Sequence, residues 1–234
     1  MLRHRNRSGA FTLIELLVVI GIIGLMVAII VPSLAAARRG AKRTICASNL
    51  RQIGVASASY LIDFNEVFYW RGTDPSGNFD VSIYGMDWYV YGGRSTGNAD
   101  NGQVDPATGI GLFNNTNYRP LNHYTNDNVE VFRCPLDTDP EVWASGNTHY
   151  DYVGNSYEFN AIGYPNATGP TTGLDARRLS DIRKPSQTVV YFDTSMHKAP
   201  GAWHGVNGNL MPADWHVDFT VLPTDTDPYY TWDP

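Results

Sequence analysis

The stretch WHGVNGNLMPADWHV (Trp203–Val217) holds the side chains of this chain best suited to chemistry. His204, Asp214 and His216 offer two imidazoles and a carboxylate, a set that could ligate a metal ion or exchange protons. Asp214 and His216 are two residues apart, so on one strand they point to the same side. The same groups would equally suit a turn cap that ties a hairpin to its sheet by hydrogen bonds. No third acid or nucleophile is identifiable around them. Gly-x-Ser-x-Gly, His-Glu-x-x-His and a phosphate-binding loop are all absent, which argues against an enzyme. Asp218, Asp225, Asp227 and Asp233 supply oxygen ligands of the kind calcium takes, but without EF-hand spacing, and solvated acidic loops look the same. The expectation is no cofactor, with calcium as the alternative.

Two cysteines, Cys46 and Cys134, cannot make a four-ligand zinc site by themselves. A disulfide between them is reasonable if this part of the chain lies outside the cytoplasm, although sequence gives no distance between the two.

The most costly residue is an acid. Glu15 sits at the start of AFTLIELLVVIGIIGLMVAIIVPSLAAARR, and Leu16 to Ala37 then runs about 22 residues without a charge, enough to cross a bilayer as a helix. A buried carboxylate is tolerable only when paired. Arg3, Arg5 and Arg7 precede the run, as in a secretory signal, but the run is longer than a signal core and no small-x-small site ends it cleanly. Arg38, Arg39, Lys42 and Arg43 follow it, so charge bias leaves the orientation undecided.

Charge divides the 234 residues sharply. Residues 63–234 hold nine Lys/Arg and 22 Asp/Glu, whereas Glu15 is the lone acid before them. Nucleic acid, which needs clustered positive charge, is not an expected partner of so acidic a head.

Residues Ala10-Phe11-Thr12-Leu13-Ile14-Glu15-Leu16-Leu17 resemble the prepilin processing and methylation signal of type IV pilins and type II secretion pseudopilins. The resemblance implies cutting between Ala10 and Phe11 by a membrane peptidase that then methylates Phe11. Glu15 becomes the fifth mature residue, where the family keeps its Glu, and Pro32 the twenty-second, where many pilins carry a helix-bending Pro. Ala10 departs from the usual Gly before the cut. Physics agrees: in a filament of packed helices, Glu15 of one subunit can meet the terminal ammonium of a neighbour, neutralising both charges and setting the register. A lone Glu snorkelling to the interface is the simpler alternative.

These elements must position such groups. Residues 1–10 read as a leader, 11–62 as an assembly and membrane helix, and 63–234 as an acidic, strand-rich head, an α+β pilin-like arrangement. The helix would run roughly 80 Å and be interrupted or bent at Pro32. Ile45, Ile53, Val55, Tyr60 and Leu61 supply its later apolar positions. Strands are expected at Val129–Cys134, Gln187–Asp193 and Trp215–Leu222, the last with Trp215, Val217, Phe219 and Val221 on one face. Gly205–Asn209 reads as the turn of a hairpin, and the Asp-Thr-Asp-Pro stretches at 137–140 and 225–228 as turns. Phe68–Asn126 reads as short strands between long loops.

Cys46–Ala56, Phe132–Asp137, Arg183–Asp193 and Trp203–Val217 also resemble a pseudopilin-like group common in planctomycetes and verrucomicrobia. That group is recognised by a His, nine residues, then Asp-Gly. His204 and Asp214 keep the spacing, but Trp215 replaces the Gly, and Trp takes positive φ only at a cost. The resemblance implies a homo-oligomeric filament, a prepilin peptidase and inner-membrane assembly machinery as partners. It places the chain in the inner membrane with its head outside, then in a periplasmic pseudopilus or a surface filament. Two other classes remain: a signal-anchored binding protein whose aromatic head recognises glycans, and a metal-dependent hydrolase using His204, Asp214 and His216.

Overall fold

The computed structural model describes residues 12–69, 91–94, 119–138, 148–160, 173–174, 177–194, 203–205, 207–221, 223, 227, 229–232 and 234. Its helices are α1 (Leu13–Asp63) and α2 (His149–Val153), and its strands are β1 (Tyr157–Phe159), β2 (Val189–Asp193), β3 (Asn207–Pro212) and β4 (Asp218–Val221). A long helix followed by an antiparallel sheet is the α+β order expected from sequence. The chain forms two compact units, Met1–Ala41 and Lys42–Pro234. The division falls inside α1.

In the first unit every described residue is exposed, among them Leu13, Leu25 and Ile29 at 80%, 66% and 67%. Of the interruption or bend expected at Pro32, the interruption does not occur: α1 carries Pro32 internally. Proline has no N–H for the ladder, and the hydroxyl of the next residue, Ser33, donates to the Ile30 carbonyl at 2.8 Å.

In the second unit α1 buries Cys46, Leu50, Ile53, Ser57 and Tyr60, whose spacing of three and four residues makes one stripe of a 3.6-residue helix. Ile45 and Val55, read from sequence as part of the apolar set, lie off this stripe and are 48% and 68% exposed. The core beneath is strongly aromatic. Tyr69, Tyr91, Phe159 and Tyr191 sit ring against ring, with centroids 4.5–6.1 Å apart. Their polar tips are satisfied inside: Tyr191 shares its hydroxyl with Ser57 at 2.5 Å and with Tyr69, and Tyr91 donates to the Tyr157 carbonyl at 3.0 Å. Burial raises the pKa of Tyr69, Tyr91 and Tyr191, so they stay neutral donors. These rings serve as core.

The sheet is a meander in the order β1-β2-β3-β4, with every neighbouring pair antiparallel. A register shift between Val189 and Tyr191 puts an irregularity where β2 meets β3. Several expectations need correction. Val129–Cys134 is no strand: Val129–Phe132 is a 3₁₀ turn, with Val131 and Phe132 turned into the core. β4 begins at Asp218, three residues later than expected, and Phe219 and Val221 on it are 43% and 53% exposed. Trp215 and Val217 pack against the core from the connection before β4. Asn207–Asn209 lies inside β3, so the β3–β4 turn falls at 213–217 instead of 205–209. Most of 68–126, and most of the second Asp-Thr-Asp-Pro stretch, lie outside the described residues.

Two buried side chains hold the loops over the sheet. Asp137 accepts the amides of His149 and Tyr150 at 3.1 and 2.7 Å and the Ser156 hydroxyl at 2.7 Å, so it caps α2 from a distant turn. Arg119, 5% exposed, donates to the carbonyls of Gly92 and Val153 at 2.7 and 2.8 Å.

Candidate functional site

At the start of α1, Thr12 precedes the first helical residue and Glu15 occupies the third helical position. The Thr12 amide and hydroxyl donate to Glu15 Oε2 at 2.8 and 2.7 Å, and the Glu15 amide donates back to Thr12 Oγ1 at 3.2 Å. This is a capping box, in which both residues satisfy amides that a helix start leaves open. Sequence reasoning looked for the partner of Glu15 in another chain and missed the one three residues away. Thr-x-x-Glu before an apolar run was the signal that could have found it. Ala10 and Phe11 lie outside the described residues. From Leu13 onward α1 is long and apolar enough to span a membrane, by length and composition.

In the second unit, the expected ligands divide between two places. Asp214 and His216 are partly exposed in the β3–β4 connection, with Asp214 Oδ1 2.5 Å from His216 Nδ1. They are not on one strand, yet they meet. Asp218 Oδ2 approaches the other ring nitrogen at 3.3 Å and also accepts the Tyr230 hydroxyl. Asp227 Oδ1 accepts the amides of Tyr229 and Tyr230 at 2.8 and 2.9 Å, a turn-forming role. Asp225 and Asp233 lie outside the described residues. The residue after Asp214, where the resembling group has Gly, is Trp215 at φ +69°. The backbone there is left-handed with Trp in place, and a methyl group added at Gly54 of α1 would stand 3.4 Å from the indole.

His204 is elsewhere, and buried. Its Nε2 is 3.3 Å from Asp193 Oδ2 and 3.3 Å from Cys134 Sγ. Cys46 and Cys134 form a disulfide with Cα atoms 5.0 Å apart, joining α1 to the turn before Asp137. Asn209 of β3 gives its backbone amide and side-chain amide to Asp193 Oδ2 at 2.6 and 2.8 Å. Asp193 Oδ1 and His204 Nδ1 are buried with no hydrogen-bond partner among the described residues. Burial dominates both ionisations. It pushes the Asp193 carboxyl up to about 7 against the pull of the Asn209 hydrogen bonds. It takes His204 down to about 4, with the nearby Arg43 guanidinium adding to the shift. Arg43 lies over the Phe219 ring at 5.3 Å, and that ring in turn meets the His204 ring edge-on at 5.8 Å.

Among the described residues, the His, Cys and carboxylate donors that gather within 4.8 Å of one another are those of Cys46, Cys134 and His204. His204 therefore joins the cysteines and Asp193, and not Asp214 and His216 as its sequence spacing suggested. Asp193 carries no pattern that suggests chemistry; it is the last residue of β2, and only the pairing of β2 with β3 brings it to Asn209 and His204.

Residues 5–31 match the family described as the prokaryotic N-terminal methylation motif. The chain is also similar to the type IV wide pilus major component PilA4 of Thermus thermophilus, 44% identical over 61 residues, which cover 26% of this chain and 46% of that protein. The match thus spans about half the length of that relative. No solved structure matches the chain.

Proposed function

We propose that this chain, type IV pilin-like by its methylation segment and its long apolar helix, is a filament subunit that polymerises through α1. The observation that carries the reading is the first unit itself. Leu13, Ile14, Leu16, Leu17, Ile20, Leu25, Ile29 and Ile30 are each more than half exposed, a face that a single chain in water would not keep. A bilayer covers it before assembly, and neighbouring α1 helices cover it in a filament. Gly21 and Gly24, with open space where a Cβ would stand, allow close approach between such helices.

The processing step follows from the same segment. Cleavage between Ala10 and Phe11 by a prepilin peptidase frees an ammonium four residues before Glu15. Within one chain Glu15 is held by Thr12, which tolerates the carboxylate until a partner arrives. In the filament the carboxylate meets the N-terminal ammonium of a neighbouring copy, and the pair fixes the axial step. The head, outside the cytoplasm, carries the disulfide that such a compartment permits. Residues 5–31 and the pilus component to which the chain is similar support this over the glycan-binding and hydrolase readings.

The test is the intact mass and first residue of the protein from its native membrane or filament fraction. A chain beginning at methylated Phe11 is expected; a chain still beginning at Met1 overturns the processing step. Glu15→Ala should leave membrane insertion unchanged and lower filament yield, and an unchanged yield would count against the pairing.

A further inference from the structure

We infer that the dithiol form of this chain is a metal protein: with Cys46 and Cys134 reduced, it binds one zinc-class divalent cation through the two thiolates, His204 and Asp193. The observations are the distances and the burial. The donor atoms of Cys46, Cys134 and His204 lie within 4.8 Å of one another. His204 Nε2 is 3.3 Å from Cys134 Sγ and 3.3 Å from Asp193 Oδ2. Around a tetrahedral zinc, with bonds of about 2.0–2.3 Å, the edges from a ring nitrogen to a sulfur and to a carboxylate oxygen are roughly 3.3–3.6 Å. Those are the separations already present. Two movements complete the set: the sulfur–sulfur separation grows when the bond between them is broken, and the Asp193 carboxylate, which is not among the donors already within 4.8 Å of one another, draws in toward the sulfurs.

The surroundings suit an ion as well. All four side chains are at least nine-tenths buried, and a buried carboxylate oxygen, Asp193 Oδ1, has no hydrogen-bond partner among the described residues. Two thiolates and a carboxylate outweigh a divalent cation by one negative charge, and the Arg43 guanidinium, close enough to act on His204, supplies the compensating positive charge. Asn209 anchors the carboxylate by two hydrogen bonds, the kind of outer contact that orients a ligand.

The chemistry balances without any hidden reagent. A dithiol reductant transfers two electrons and two protons: its own sulfur–sulfur bond forms as the Cys46–Cys134 bond breaks, leaving two thiols. Metal entry releases the thiol protons to solvent as two metal–sulfur bonds form. The imidazole gives its Nε2 lone pair and keeps its proton on Nδ1. The chain also passes through the dithiol state before the disulfide is first made. A metal bridge closes the same 88-residue separation as the covalent bond, so it holds α1 to the head in that interval. The proposal stands apart from the filament reading, since it concerns the second unit and requires no assembly.

The experiment uses the full chain in detergent, reduced with a dithiol, freed of reductant under anaerobic conditions and titrated with Co²⁺ and then Zn²⁺. Expected are one equivalent of cobalt with tetrahedral ligand-field bands and sulfur-to-cobalt charge transfer, its displacement by zinc, and no binding by the oxidised chain. His204→Ala and Asp193→Asn should each weaken binding at least about tenfold, as losses around metal sites do. His216→Ala, in the same reduced chain, should not. A reduced chain that takes up no metal overturns the proposal. So does binding that responds equally to His204→Ala and His216→Ala, which is what an unfolded dithiol chain would show.

Discussion

Replacing both cysteines, Cys46→Ala with Cys134→Ala, should cost this protein a large part of its stability. The two are separated by 88 residues in sequence. Leaving a loop of that length unclosed in the unfolded chain returns an entropy equivalent to about 4.6 kcal/mol at 25 °C on the chain-entropy account. Both positions are fully buried, so the space left by two sulfurs acts in the same direction. For a chain of this size each kcal/mol lowers the melting temperature by about 2–4 °C, which gives a fall of about 9–18 °C. The assay is thermal unfolding of the full chain in detergent with a chelator present, followed by circular dichroism of the head. The oxidised wild type, the reduced wild type and the double variant are compared. Reduction of the wild type should reproduce the fall seen in the variant. A fall below about 3 °C in both, with native-like spectra, would refute the reasoning. The bond would then close a region already held together in the unfolded ensemble.

Asp193 and His204 should show opposite pH responses that hide one another in the oxidised chain. Between about pH 4 and 7 folded Asp193 keeps a proton that the unfolded chain has lost, so its contribution falls as pH rises. Between about pH 4 and 6.5 folded His204 refuses a proton that the unfolded chain takes, so its contribution is lost as pH falls. Asp193→Asn should therefore expose a stability that rises by up to about 1.4 kcal/mol per pH unit across that window; a flat urea-unfolding profile from pH 4.5 to 6.5 in the variant would contradict the pairing. Asp137→Ala should lose about 3 kcal/mol, because two amides and a hydroxyl lose their acceptor inside the fold; a urea midpoint equal to wild type would contradict its capping role. At Trp215 the left-handed backbone favours Gly over any other residue, so Trp215→Gly should be more stable than Trp215→Ala by about 1 kcal/mol although both lose the indole. Equal denaturation midpoints for the two would show that the turn relaxes.

Much of the first unit was legible because its information is local. An uncharged run of helical length needs no partner to be recognised, and Glu15 stands out within it because a carboxylate in apolar surroundings demands an explanation. The α+β order and β2 were readable for the same reason, as an apolar strand of five buried residues announces itself. The errors came where local pattern and tertiary demand part company. Val129–Phe132 alternates like a strand but turns as a 3₁₀ segment, since Cys134 must reach Cys46 and Asp137 must reach α2. Phe219 and Val221 alternate correctly and still stay about half exposed, because β4 is the last strand of the sheet and, among the described residues, Phe219 is covered only in part, by Arg43 and the edge of His204.

By itself the sequence determined the helix, the segment that matches the methylation motif, the acidic character of the head and the set of side chains able to do chemistry. Spacing could not determine which of those side chains meet. His204 and Asp214 keep a recognisable interval, yet β3 carries the chain away between them and leaves one buried and the other in an exposed turn. Asp193, 11 residues before His204 and not among the side chains whose pattern suggested chemistry, becomes its partner through the antiparallel register of β2 and β3. Contact between residues distant in sequence depends on strand pairing and on the covalent tie to α1. Those are properties of the folded chain as a whole, and no short window of residues contains them.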